Sequence, residues 1–248
     1  QQARHNYLLT SPSVSPDRQW AQLLTPHGRL EARAPNLWQV TSILSASPFL
    51  SWPRNMTVYR HKDGTLILHN PIVLDDEGME KLATLGSPDV LIAPNSNHCR
   101  DISAYKRRFP DATVLCPGDC VEKVEEVVAV DATCEEFLCK NLELRVYRPG
   151  MLPNGYNELV YELPLEGSET TSLLFCDTFV SYSPESVLLR MTFKGFGMST
   201  SPRIAKSSIF FHYKFPKHVP LLERWLEKVL ESSHSVELLL FTHGPPIR

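Results

Sequence analysis

The stretch LIAPNSNHCRDI, residues 91–102, concentrates side chains that do chemistry. An apolar run ends at Pro94, and Asn95, Asn97, His98, Cys99 and Asp101 follow in quick succession. So many donors after a strand point to a metal centre. Imidazole and thiolate suit zinc, whereas the amide oxygens of Asn95 and Asn97 suit harder cations and bind zinc weakly. Two further residues stand in comparable places: Asp177 follows SLLFC, and His243 follows VELLLFT. Ligands in layered α/β folds gather at strand ends, because the sheet is rigid and the loops are free to vary. A single Asp there is often a turn former and a single His before Gly a loop residue, so the three clusters count as a set.

Other chemistries have less behind them. There is no GxSxG turn for a serine nucleophile and no glycine-rich phosphate loop. A cysteine nucleophile would have to be Cys99 or Cys176, near His98 or His243. Cys176 lies inside an apolar strand and reads as an inert buried thiol. The segment FKGFGMSTSP, 193–202, reads as a flap in which Phe193, Phe196 and Met198 cover an apolar ligand, or equally as an ordinary loop packed over its aromatics.

The elements that position these residues are legible in the pattern. MTVYRHKDGTLILH reads as a hairpin turning at Lys62-Asp63-Gly64. DDEGMEKLATLG reads as a helix capped by Asp75 and stopped at Gly86. DVLIAP and ATVLCPG read as buried strands around the helix RDISAYKRRF. LELRVYRPG, NELVYELP and SLLFCD are strand candidates, the last two a pair. HVPLLERWLEKVLESS is an amphipathic helix with Val219, Leu222, Trp225, Leu226, Val229 and Leu230 on one stripe, and VELLLFTHG closes the chain as a strand. LIAP and LLLF, as continuous apolar runs, are expected to be central strands buried on both faces. Residues 1–50 are rich in Pro and Ser and read as an irregular arm packed on a domain spanning 51–248.

The 248 residues are 42% hydrophobic and carry a net charge of -3 from 25 basic and 28 acidic side chains. That balance argues against nucleic acid or an anionic membrane as partner. The basic run YKRRF reads as a solvated helix face, and no apolar stretch approaches the ~20 residues that span a bilayer. No signal or transit segment is read, and an intracellular setting, cytoplasm or organelle, is expected. Cys116, Cys120, Cys134 and Cys139 match a zinc clip only loosely, with no CxxC, and read as small buried hydrophobes. Asn55-Met56-Thr57 is a formal glycosylation sequon opening a strand.

Taken in order, APNLWQV, MTVYRHKDGTLILHNPI, LGSPDVLIAPNSNH, RFPDATVLCPG, TSLLFCDTF and FTHGPPI resemble the metallo-β-lactamase superfamily over roughly residues 35 to 247. The resemblance implies a four-layer αββα sandwich with a cleft at one edge. Members carry HxHxDH after a strand, a third His near a Pro-Gly turn, a bridging Asp and a last His before Gly. On this chain those places fall to Asn95, Asn97, Cys99 and Arg100, then Met151, Asp177 and His243. Only Asp177 and His243 match; His98 is one residue out of register and Asp101 just beyond. A two-zinc hydrolase is therefore not expected. The resemblance implies one zinc or other divalent ion held by His98 or Cys99 with Asp177 and His243, or none, with Arg100 pairing Asp177 in place of a metal. Asn95, Asn97, Arg100 and Asp101 are then binding residues of a former cleft that takes a small molecule or a protein partner. The alternative is a mononuclear metal-dependent hydrolase of an ester, thioester or phosphodiester, with Asp177 as base.

Overall fold

The computed structural model describes residues 16–47, 50–148, 158–181, 191, 206–207 and 219–248. Met151, the segment 193–202 and residues 1–15 lie outside them.

Two sheets form the core. The larger runs in the order β1 (Glu31–Ala34), β2 (Leu37–Ser47), β3 (Leu50–Arg60), β4 (Leu66–His69), β5 (Val90–Ile92), β6 (Thr113–Cys116) and β7 (Ala132–Thr133). β1 to β4 pair antiparallel, as hairpins do; β4 to β7 pair parallel and need crossovers. The second sheet takes β8 (Arg145–Tyr147), β9 (Val160–Pro164), β10 (Thr171–Phe175) and β13 (Val236–Phe241), in the order β13-β10-β9-β8. A short pair, β11 (Phe179–Val180) and β12 (Lys206–Ser207), stands apart.

Side-chain alternation sorts the core into three layers. Leu66, Leu68 and Leu91 face Met79, Leu82, Ile102 and Tyr105 of α2 (Asp76–Ala83) and α3 (Ile102–Arg108). Ile67, Val90 and Ile92 point the other way, onto Tyr161, Leu163, Leu174, Leu238 and Leu240 of the second sheet. Phe175, Phe241 and Val160 meet Val229, Trp225 and Leu226 of a late helix, Val219–Ser232. Helices therefore cover the outer face of each sheet and the sheets face each other, an αββα sandwich. The remaining helical segments among the described residues are α1 (Pro16–Leu23), a 3-10 turn at Gly118–Cys120, a one-turn helix at Val121–Val124 and a two-turn helix at Cys134–Asn141.

The local signals hold. Asp75 accepts the Gly78 amide as N-cap, Gly64 takes a φ of 96° in the β3–β4 turn, and Thr171 to Leu174 pair antiparallel with Pro164 to Tyr161. β5 is central and buried on both faces. β13 is not: it ends its sheet's order, with Leu239 only partly buried. A backbone pair between Leu239 and Ile247 covers that edge. Residues 16–47, read as irregular, contain α1, β1 and β2, and the expected boundary at residue 50 falls inside the β2–β3 hairpin. Leu230, placed on the helix stripe, is 48% exposed, because the stripe closes at Val229.

Candidate metal centre

β5 ends at Ile92, and the loop after it carries His98. β10 ends at Phe175, and Asp177 follows. β13 ends at Phe241, and His243 follows. The first strand belongs to one sheet and the other two to its partner, and all three open at the same edge of the sandwich. His243 Nε2 lies 3.0 Å from Asp177 Oδ1, His98 Nε2 lies 3.2 Å from the same oxygen, and the two Nε2 atoms are 3.3 Å apart. A tetrahedral ion with bonds of ~2.0–2.1 Å holds its donors roughly 3.3 Å from one another. Among the described residues this is the one group of three or more His, Cys, Asp or Glu side chains close enough to share an ion.

The outer contacts decide which ring nitrogen faces the cluster. His243 Nδ1 lies 2.6 Å from the Pro53 carbonyl oxygen, which only accepts, so Nδ1 carries the proton. Asn70 donates Nδ2 to the Asn55 carbonyl at 2.8 Å, which turns its Oδ1 toward His98 Nδ1 at 3.1 Å. That nitrogen carries its proton too. Both imidazoles therefore turn Nε2 toward the same carboxylate oxygen. Three acceptors so close need a positive species between them, either a cation or protons on the rings. The donor set fits a divalent ion of zinc type.

Asp177 is held from its other side as well. Asn95 Nδ2 donates to Oδ2 at 2.8 Å, while Asn95 Oδ1 accepts the backbone amides of Asn97 and His98. Burial raises the Asp177 carboxyl, but the charges and hydrogen bonds of His98 and His243 outweigh it and hold the group well below the usual carboxylate range. Beneath it lies Glu158, 4% exposed, whose carboxyl is pushed up to about 8 by burial and by the charge of Asp177.

The other expected site residues do not reach the cluster. Cys99 is buried and donates Sγ–H to the Ser96 carbonyl, and burial pushes its thiol up. Cys176 is buried beside Asn95 with its thiol pushed well up, and burial of both thiols disfavours the thiolate that a nucleophile needs. Arg100 is exposed and turns to Asp101 and the Leu23 carbonyl, leaving Asp177 to the histidines. Asp101 forms a buried ion pair with Arg54 and accepts the Val73 amide, which makes it a strut. Asn97 is exposed and contributes only its backbone amide. Of the four clip cysteines, Cys116, Cys120 and Cys134 are buried and Cys139 is exposed.

Sequence reasoning missed the run Pro53-Arg54-Asn55 on β3, which supports the whole centre. Pro53 orients His243 and Arg54 anchors the loop before α3 through Asp101. Asn55 donates Nδ2 to the carbonyls of Phe241 and Gly244 and is 2% exposed, so its amide is not available as a glycosylation acceptor.

No family model matches the sequence, and no curated protein matches it by sequence. Solved structures do match. The metallo-β-lactamase FIM-1 from Pseudomonas aeruginosa, in a mono-zinc form, superposes with a TM-score of 0.57 at 12% identity over 91% of each chain. The metallo-β-lactamase DIM-1, exposed to ceftazidime, gives 0.56 at 13% identity over 90% of this chain and 92% of its own. The metal-soaked Flv1 flavodiiron core from Synechocystis sp. PCC6803 gives 0.55 at 13% identity, over 89% of this chain and 57% of that one. At such identities the likeness is one of architecture, and the architecture of this chain is the metallo-β-lactamase fold.

Proposed function

We propose that the chain holds one divalent ion, zinc being the best matched, at His98 Nε2, Asp177 Oδ1 and His243 Nε2, and that it is a one-metal hydrolase of an ester, thioester or phosphodiester. The observation that carries this reading is the mutual spacing of the three donors, 3.0, 3.2 and 3.3 Å, with both outer imidazole nitrogens engaged. A bound ion supplies Lewis acidity toward a carbonyl or phosphoryl oxygen. The chain's own residues fix the geometry: Pro53 and Asn70 set the tautomers, and Asn95 keeps Asp177 turned inward. Asp177 then acts as a donor held in place, since Asn95 engages its second oxygen. The free state of all six cysteines supports a reducing compartment.

A second reading, binding of a small molecule or protein partner without turnover, is favoured by one observation. Asp177, the residue expected as base, has Oδ1 against both histidines and Oδ2 engaged by Asn95. Metal analysis of protein purified without chelator separates the possibilities, followed by assay against p-nitrophenyl esters, acyl thioesters and bis-p-nitrophenyl phosphate. One equivalent of metal with turnover that disappears in His243→Ala supports the hydrolase. One equivalent without turnover supports the binding protein. No metal, or two equivalents, overturns the one-ion centre.

A further inference from the structure

We propose that Glu158 is a positioning residue for Asp177, clamping the backbone on both sides of it so that Oδ1 aims at the two histidines. The inference rests on the one-ion reading of that cluster. Glu158 Oε1 accepts the Cys176 amide at 2.8 Å, and Oε2 accepts the Thr178 amide at 2.7 Å. The two amides flank Asp177 directly. One carboxyl group bridging them fixes the peptide planes before and after that residue, and with them the direction of its Cα–Cβ bond. Asn95 then fixes the carboxylate from its far side through Oδ2. Backbone and side chain of Asp177 are thus held by separate residues.

The clamp needs a carboxyl group in particular, since both of its oxygens keep a lone pair to accept with, protonated or not. Two N–H donors converge on one buried side chain, and only a group with two acceptor atoms satisfies both. A Gln in the same place offers one acceptor and turns an amide donor toward the other N–H. An apolar residue leaves two buried amides without partners.

The test compares wild type, Glu158→Gln and Glu158→Asp; Asp keeps the carboxyl group but is too short to span both amides. Zinc affinity is measured by competition with a chromophoric chelator, geometry by the visible absorption of the cobalt-loaded protein, and folding by thermal melting. Both variants are expected to melt cooperatively, to lose about ten- to a hundredfold in zinc affinity, and to change the cobalt spectrum, as expected for an outer partner of a ligand. A folded variant with wild-type affinity and an unchanged spectrum overturns the clamp and leaves the one-ion centre standing. A wild type that binds no ion overturns the one-ion centre and this role with it. Should neither variant fold, the amide protons of Cys176 and Thr178 in wild type decide by NMR. Downfield shifts typical of a carboxyl partner support the clamp, and ordinary shifts overturn it.

Discussion

Asn95 donates its side-chain amide to Asp177 Oδ2 at 2.8 Å, and the same Asn95 collects the backbone amide of His98 at 3.1 Å. One side chain therefore links two members of the cluster that stand on different sheets. Asn95→Asp keeps the acceptor for the loop but cannot donate to Asp177, and it sets two carboxylates against each other. The expected cost is about 1–3 kcal/mol, read as a shift in urea midpoint. An unchanged midpoint would mean that Asn95 and Asp177 do not meet.

Arg54 and Asp101 are 3% and 0% exposed and pair inside the protein. Removing one partner leaves a buried charge alone, so Asp101→Leu or Arg54→Met should each cost about 3–5 kcal/mol. The double variant should cost much less than the sum. A double-mutant cycle measures this, and simple additivity would refute the pair.

His69 carries a pH prediction. Burial, with a smaller push from His98, lowers its imidazole from an ordinary 6.5 to about 3, and neither ring nitrogen has a hydrogen-bond partner. As pH falls through 6.5 the unfolded chain takes up a proton that the folded chain accepts only near 3. The folded state is thus unpenalised above about 6.5 and loses stability as pH drops between these values, by up to about 1.4 kcal/mol per pH unit. His69→Leu should flatten that slope in denaturation series between pH 6.5 and 4.5. Equal slopes in both proteins would show that His69 titrates normally.

Trp225 packs partly buried against the cluster of Val160, Leu173, Phe175 and Phe241, whereas Leu230 on the same helix is 48% exposed. Trp225→Ala should cost about 2–3 kcal/mol, below a fully buried aromatic, and Leu230→Ser should fall within about 0.5 kcal/mol of wild type. Equal effects would mean that the helix is rotated on its sheet.

What the sequence disclosed follows the range of the interaction. Asp75, the Asp63-Gly64 turn and the apolar run of β5 are set by near neighbours and were legible. β2 was not, because Gln39 sits among its apolar residues. Gln39 is 1% exposed and donates to Thr57 Oγ1 and, at 3.5 Å, to the Phe241 carbonyl, so a buried polar residue hid the strand. His98, Asp177 and His243 were legible as donors after strands. Their supports were not: Pro53 and His243 are 190 positions apart, and nothing local marks a carbonyl oxygen as an imidazole partner.

The division of labour between the sheets has a kinetic consequence. Strands β1 to β7 come from residues 31–133 and strands β8, β9, β10 and β13 from residues 145–241, so each half of the chain makes its own sheet. His98 and His243 are 145 positions apart and meet only once the two halves dock. In the unfolded chain the three donors are dispersed, and an ion finds no pocket. Long-range pairs of this kind form late in folding, after loop closure has been overcome. An ion at the centre should therefore act as a latch closed after the fact, lengthening the lifetime of the native state while leaving the speed of its formation almost untouched.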